Sequence, residues 1–89
     1  MKIEFADSFY RGFSALPVPL QRKSHESIDR FLLAFESRRF PKGLRIHKCG
    51  PFISISLTMD YRIFVSPIPG GVRFVFLGNP ADADRYLRK

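Results

Sequence analysis

The pattern of hydrophobic and polar positions changes from helical to strand-like near the middle of the chain. At the N-terminus polar and apolar side chains alternate over residues 2–5, which indicates a short first strand. Asp7 is then predicted to be the N-cap of a first helix, and a Pro-Val-Pro turn at 17–19 ends that helix. The second helix has an apolar stripe with i, i+3, i+4, i+7 spacing, formed by Leu20, Ile28, Phe31, Leu32 and Phe35. This half of the chain therefore predicts one strand and a helical hairpin.

Alternating patterns in the second half predict three or four antiparallel strands. The strand-like segments, rich in β-branched and aromatic residues, are 44–48, 52–57, 61–65 and 72–77. Turns are predicted at 58–60 and 67–71, and residues 81–89 are expected to form a short helix or an ordered tail. The sequence therefore predicts an α+β fold: an N-terminal strand and helical hairpin packed on one face of an antiparallel three- to four-stranded sheet, with the other face partly open.

Length and composition limit the kinds of protein that this chain can be. Eighty-nine residues have room for one core, so we expect a single domain over residues 1–89. Ten Phe and three Tyr argue against disorder, and no apolar run is long enough for a membrane span. The first ten residues contain acids before any apolar stretch, unlike a secretory signal. The single cysteine, Cys49, cannot form an internal disulfide, which favours a reducing, cytoplasmic location.

The charge of the chain is strongly basic, with fifteen Lys and Arg against eight Asp and Glu and a net charge of +7. Such a protein attracts polyanions, although a basic surface can also serve solubility alone. Five cations without an acid occur within residues 38–48: Arg38, Arg39, Lys42, Arg45 and Lys48. This clustering favours a nucleic-acid-binding surface over general solubility. Arg73 is a further candidate, on a strand face that depends on the register.

Segments in the second half resemble a known toxin superfamily. They are Gly-Leu-Arg-Ile-His-Lys at 43–48, Ser-Ile-Ser-Leu-Thr-Met-Asp-Tyr-Arg-Ile at 54–63, and Gly-Asn at 78–79 followed by Tyr86. In this order and spacing, over essentially the whole chain, they resemble the RelE/ParE superfamily of small basic toxins from type II toxin–antitoxin systems. The resemblance implies a RelE/ParE-like domain whose partner is a cognate antitoxin that covers the basic face.

The resemblance implies one of two activities. RelE-branch members cut messenger RNA on the ribosome without a metal or cofactor: the ribose 2′-OH attacks its neighbouring phosphate. ParE-branch members act on DNA gyrase and are not nucleases. A nuclease site needs a guanidinium at the phosphate, groups that take and give protons, and an aromatic ring on which a base stacks.

Position by position, the resemblance implies catalytic roles for Arg62, on the central strand, and for Tyr86, near the C-terminus. Ser54 and Ser56 stand where nuclease members often carry basic side chains, and Asn79 stands where the family commonly places a histidine or a cation. From the residues alone, Arg62 could instead form an ion pair with its neighbouring aspartate or stack on a ring. Tyr86 could instead pack the tail against the sheet.

His47 is a candidate replacement for the missing base. Strand alternation places His47 and Arg45 on one face and Lys48 on the other. Histidine suits proton transfer near neutral pH, although an ordinary surface position is the alternative. The first hypothesis is thus a RelE-like, ribosome-dependent mRNA endonuclease with an atypical active site, which would inhibit translation. The alternative is a ParE-like gyrase-directed toxin or an inactive antitoxin-binding module, which the serines and Asn79 favour.

Overall fold

The computed structural model describes residues 1–40 and 43–88, which form three helices and a five-stranded sheet. The helices are α1 (Asp7–Ser14), α2 (Val18–Ser37) and α3 (Pro80–Leu87). The strands are β1 (Lys2–Phe5), β2 (Ile46–Cys49), β3 (Phe52–Ser56), β4 (Arg62–Ile68) and β5 (Gly71–Gly78). The predicted α+β class is confirmed. Within the described residues, no helix combines the length and apolar character that crossing a bilayer requires.

The sheet is mixed, with strand order β1-β5-β4-β3-β2. Strands β2 to β5 form the predicted antiparallel meander, because each is joined to the next by a short connection. Strand β1 lies at the edge and runs parallel to β5, with Lys2 opposite Gly71 and Phe5 opposite Phe74. The first strand of the chain therefore pairs with the last.

Helices α1 and α2 cover one face of the sheet, as the sequence predicts. The core between them is aromatic: Phe31 of α2 and Phe9 of α1 both contact Phe74 of β5, each with ring centroids 6.0 Å apart. All three side chains are buried. The rings bury large apolar areas, and edge-on contacts such as the one between Phe31 and Phe74 add a favourable quadrupolar term. Burial of the apolar stripe thus holds α2 on the sheet.

Two local predictions were wrong at their boundaries. The N-cap of α1 is Ala6, and Asp7 is the first helical residue, where its carboxylate faces the positive end of the helix dipole. The turn predicted at 67–71 is shorter, because β4 continues through Ile68 and Gly70 takes the left-handed conformation at φ +81°. Pro67 fits in β4 because β3 pairs with β4 only as far as Val65, so this end of β4 has one free side.

A β-bulge shapes the second face of the sheet. The register of β4 and β5 shifts between Phe64 and Val65, which leaves Val75 as the extra residue on β5. The hydroxyl of Ser8 donates to the carbonyl of Val75. Because of the bulge, Val75 and Phe76 both pack in a second apolar cluster, away from α1 and α2. Helix α3 covers this cluster, and the predicted C-terminal segment is helical as far as Leu87, while Lys89 lies outside the described residues.

An acidic residue links the edge strand β1 electrostatically to its neighbour β5. Glu4 accepts a hydrogen bond from Arg73 Nε at 2.8 Å, and its other oxygen lies 3.3 Å from Lys2 Nζ. The hydrogen bonds from Arg73, and then from Lys2, hold the pKa of Glu4 below its ordinary value of 4.5. A carboxylate with a lowered folded-state pKa stabilises the fold above its unfolded pKa.

We therefore expect the Glu4 contribution to stability to be present above about pH 5 and to be lost as the pH falls through the lowered pKa. Urea unfolding midpoints of wild type and Glu4→Gln, measured from pH 7 to pH 3, test this. The two midpoints should differ at pH 7 and approach each other as the pH falls below the unfolded-state pKa. A difference that stays constant or grows towards low pH would contradict the assignment.

Candidate nucleic-acid interface

A concavity of about 440 Å³ lies on the second face of the sheet, beside the cluster that α3 covers. Its lining comes from β2, β3, β4 and the segment leading into β2: Leu44, Arg45, Ile46, His47, Ser56 and Arg62. The strand register explains the grouping. Ser56 is directly opposite Arg62, and its backbone N–H donates to the carbonyl of Arg45 at 2.9 Å. Three neighbouring segments therefore bring two arginines and a hydroxyl side by side.

The Arg62 side chain is half-buried and points across the strands. Its Nη1 donates to Ser56 Oγ at 3.2 Å. The alternative in which Arg62 pairs with its neighbour Asp60 is not what the structure shows, since none of the ion pairs among residues 1–40 and 43–88 includes Arg62. The guanidinium therefore keeps donors for an anion, and a planar fork is suited to phosphate oxygens.

His47 lies on β2, exposed and opposite Ser54 of β3. It shares the concavity with Arg45, as strand alternation predicts. Lys48, the next residue, is exposed on the opposite face. The structure thus places His47 with the two arginines and leaves Lys48 outside the concavity.

Ser54 is the buried polar residue next to His47. It is 3% exposed, pairs with Phe64 on its other side, and its Oγ has no hydrogen-bond partner among the described residues. A buried hydroxyl without a partner costs free energy that an alanine at the same position would not. Ser54 therefore places an unsatisfied hydroxyl inside the sheet, next to His47.

We expect Ser54→Ala to raise the free energy of unfolding by about 1 kcal/mol, because it removes the unpaired buried hydroxyl. Ser24→Ala is the matched control. Ser24 is also fully buried, but its Oγ donates to the carbonyl of Gln21 at 2.7 Å, so its loss should give no such gain. Urea denaturation of both variants measures the difference. Equal effects at the two serines, or a clear loss at Ser54, would show that the Ser54 hydroxyl is satisfied.

Tyr86 is placed by α3 beside the concavity rather than in it. Its ring is half-buried, with its centroid 5.0 Å from that of Phe76, 5.8 Å from that of Phe52 and 6.1 Å from that of Phe64. These contacts hold α3 on the sheet, which is the packing role that the sequence left open for this residue. Tyr86 is not among the described residues that line the concavity with Arg62.

The other predicted nucleic-acid-binding cations lie elsewhere. Arg38 and Arg39 are exposed at the C-terminal end of α2, where Arg38 is left-handed with φ 58°. Arg73 lies at the β1 edge, where its Nη2 is 2.6 Å from Glu4 Oε1. Lys42 lies outside the described residues. Of the five predicted nucleic-acid-binding cations that the structure describes, Arg45 alone lines the concavity.

Two cations of α2 that are not among the predicted nucleic-acid-binding residues lie near this site. Lys23 and Arg30 of α2 line a second groove, and Arg45 lines the same groove. Their spacing of seven residues puts them on one side of the helix, but the partner surface is formed only in the folded chain. Among the described residues, no group of three His, Cys, Asp or Glu side chains is placed to hold a metal ion.

Comparison with solved structures identifies the fold. No family model and no curated protein matches the sequence. A chain of the RelB-RelE antitoxin-toxin complex from Methanococcus jannaschii matches with a TM-score of 0.71 and 16% identity, over 93% of this chain and 96% of that one. A copper-bound mutant toxin from Helicobacter pylori matches with a TM-score of 0.68 and 12% identity, over 92% and 97%. The E. coli DinJ-YafQ toxin-antitoxin complex matches with a TM-score of 0.60 and 14% identity, over 91% and 93%. The chain has the fold of RelE-like toxins.

Proposed function

We propose that this chain is the toxin of a type II toxin–antitoxin pair and that it cuts messenger RNA on the ribosome. The observation that supports this most directly is the concavity, which groups Arg45, His47 and Arg62 on a fold shared with RelE-like toxins. Two guanidinium groups and an imidazole on one sheet face are suited to a phosphodiester and to proton transfer.

The proposed reaction needs no metal. The ribose 2′-oxygen attacks the adjacent phosphorus, a bond from this oxygen to phosphorus forms, and the bond from phosphorus to the 5′-oxygen breaks. His47 takes the proton of the 2′-OH, and water at the open concavity protonates the leaving oxygen. Arg62, with Arg45 beside it, stabilises the charge that develops on the phosphate oxygens. The products are a 2′,3′-cyclic phosphate and a 5′-hydroxyl.

The proposed protein partner is a cognate antitoxin. Two of the similar structures are antitoxin–toxin complexes, RelB-RelE and DinJ-YafQ. For this chain, a net charge of +7 and the concavity arginines, which form no ion pair within residues 1–40 and 43–88, are suited to an acidic or amphipathic antitoxin segment that covers the basic face. Such a segment would compete with RNA for the same cations.

A second candidate function, binding without hydrolysis, is favoured by two positions. Asn79 Oδ1 accepts a hydrogen bond from the Asp82 N–H at 2.8 Å and so serves as the N-cap of α3. Ser54 is buried. By resemblance, nuclease members often carry a basic side chain at position 54 and commonly a histidine or a cation at position 79, whereas here Ser54 is a buried serine and Asn79 caps a helix. A gyrase-directed toxin or an antitoxin-binding module would need no such groups.

Primer-extension mapping of cellular mRNA after induction of the chain distinguishes these functions. Codon-phased cuts in translated messages would support the nuclease. The same cuts should appear when the purified chain, treated with EDTA beforehand, is added to ribosomes programmed with mRNA. Growth arrest with intact mRNA and an induced DNA-damage response would support the gyrase-directed alternative. Normal growth with a folded, soluble chain would leave only the binding module.

A further inference from the structure

A groove of about 460 Å³ borders the concavity and shares part of its lining with it. Its floor includes Leu44, Arg45 and Ser56, which also line the concavity. One wall is formed by Lys23, Ser27 and Arg30 of α2, and the other by the turn between β3 and β4. The groove thus leads from the Arg62 site over the sheet edge to helix α2.

The side chains of α2 that face this groove are set by helical spacing. Lys23, Ser27 and Arg30 are four and then three residues apart, so they lie along one side of the helix. An Arg30 guanidinium nitrogen lies 3.3 Å from the position that a Cβ on Gly43 would occupy. Arg30 therefore reaches across the groove towards the segment that leads into β2.

The groove and the concavity together have an uncompensated positive charge. Neither Lys23, Arg30 nor Arg45 takes part in an ion pair within residues 1–40 and 43–88. Among the described residues that line the two spaces, none carries a carboxylate. Cations grouped in a concave surface without acids focus potential on an anionic ligand.

We propose that this groove binds the phosphate backbone of an RNA strand that extends out of the concavity, with Lys23 and Arg30 as the phosphate-binding residues. The proposal rests on the proposed function for the nature of the strand. Hydroxyls of Ser27 and Thr58 in the lining are further donors of the kind that contact phosphates. A folded protein segment fits less well, because the groove has no aromatic residue among its described lining to anchor a partner side chain.

The test measures binding of two fluorescently labelled 2′-O-methyl oligouridylates, of four and twelve nucleotides, to the full chain. These probes cannot be cleaved by 2′-oxygen attack, so binding is measured independently of nuclease activity. We expect the double variant Lys23→Ser/Arg30→Ser to weaken binding of the 12-mer at least about tenfold and to leave the 4-mer within about twofold. The slope of log K against log salt for the 12-mer should fall by about 1.4, for two lost phosphate contacts on a single strand.

The matched control is Arg11→Ser/Arg22→Ser. It removes the same charge from exposed positions of α1 and α2 outside the groove lining. Circular dichroism of both double variants checks that they fold. The control should leave both probes near wild type, since it touches neither the groove nor the concavity.

Four outcomes would overturn the proposal: equal weakening by the control pair, equal weakening of both probes, unchanged 12-mer binding, or a wild-type 12-mer affinity no greater than that of the 4-mer. If the groove pair instead weakens binding of an acidic peptide and not of the 12-mer, the groove is a protein-docking surface. Absence of RNA cleavage by the wild type would contradict the proposed function alone. The groove assignment depends only on the uncleavable probes.

Discussion

Replacing Arg62 by alanine is expected to lower the rate of RNA cleavage at least about 100-fold while the chain stays folded. In the proposed reaction, negative charge develops on the phosphate oxygens in the transition state. Removing one preorganised donor from such a site typically costs a factor of 10² to 10³ in rate. The one described side-chain hydrogen bond of Arg62 is to Ser56, so truncation removes a single described polar contact, and circular dichroism checks that the variant folds. The initial rate of cutting of ribosome-bound mRNA measures the effect.

Two further variants show whether the loss of cleavage rate is specific to a guanidinium group at position 62. Arg62→Lys keeps the charge but not the planar fork, so we expect it to recover only a small part of the activity. Arg73→Ala is the matched control, because that guanidinium is already held by Glu4 at the β1 edge. It should cut at close to the wild-type rate. Activity retained by Arg62→Ala, or lost equally in Arg73→Ala, would contradict the assignment of the site.

Replacing Gly12 by alanine is expected to destabilise the chain by at least about 3 kcal/mol, the upper range for overpacking. Helix α1 lies so close to β5 that a Cβ on Gly12 would be 1.7 Å from the carbonyl oxygen of Leu77 and 2.8 Å from its carbonyl carbon. Those atoms are backbone in a paired strand and cannot rotate away as a side chain can. The helix would have to lift from the sheet, and buried Phe9 would move with it.

Local helix propensity alone predicts that Gly12→Ala would stabilise the chain, so a measured loss of stability is informative. Alanine is favoured over glycine in a helix by about 1 kcal/mol, so an isolated α1 would gain from the change. Ser14→Ala is the control, since Ser14 is exposed at the end of α1 and should show only the propensity gain. Urea unfolding with a fixed m-value measures both variants. A Gly12→Ala chain as stable as wild type would mean that α1 does not lie this close to β5.

Much of the fold could be predicted from the sequence because it is encoded in local periodicity. The apolar stripe of α2 and the alternation of β2 to β5 each follow from a repeat of 3.6 or of two residues. The bulge at Val75 could not be predicted, since a shift of register depends on how two strands meet. The partner of β1 could not be predicted either, because parallel pairing joins residues about seventy positions apart.

The candidate site also has parts that could be predicted from the sequence and parts that could not. The shared face of Arg45 and His47 follows from alternation within one strand, so sequence reasoning found it. The pairing of Arg73 with Glu4 joins residues 69 positions apart, which no local pattern reveals. Lys23 was missed because a charged position on the polar side of a helix is usually solvated, and only the packed chain shows what faces it.

The parallel pairing of β1 with β5 has a consequence for folding during translation. During translation β1 is made before its partner, because the residues that pair with it, Gly71 to Phe74, lie about seventy positions later in the chain. Closing so large a loop before any pairing is gained makes this step entropically slow. The sheet edge at β1, and the docking of α1 on β5, must therefore await late stages of synthesis, and a nascent chain without β5 has no complete sheet.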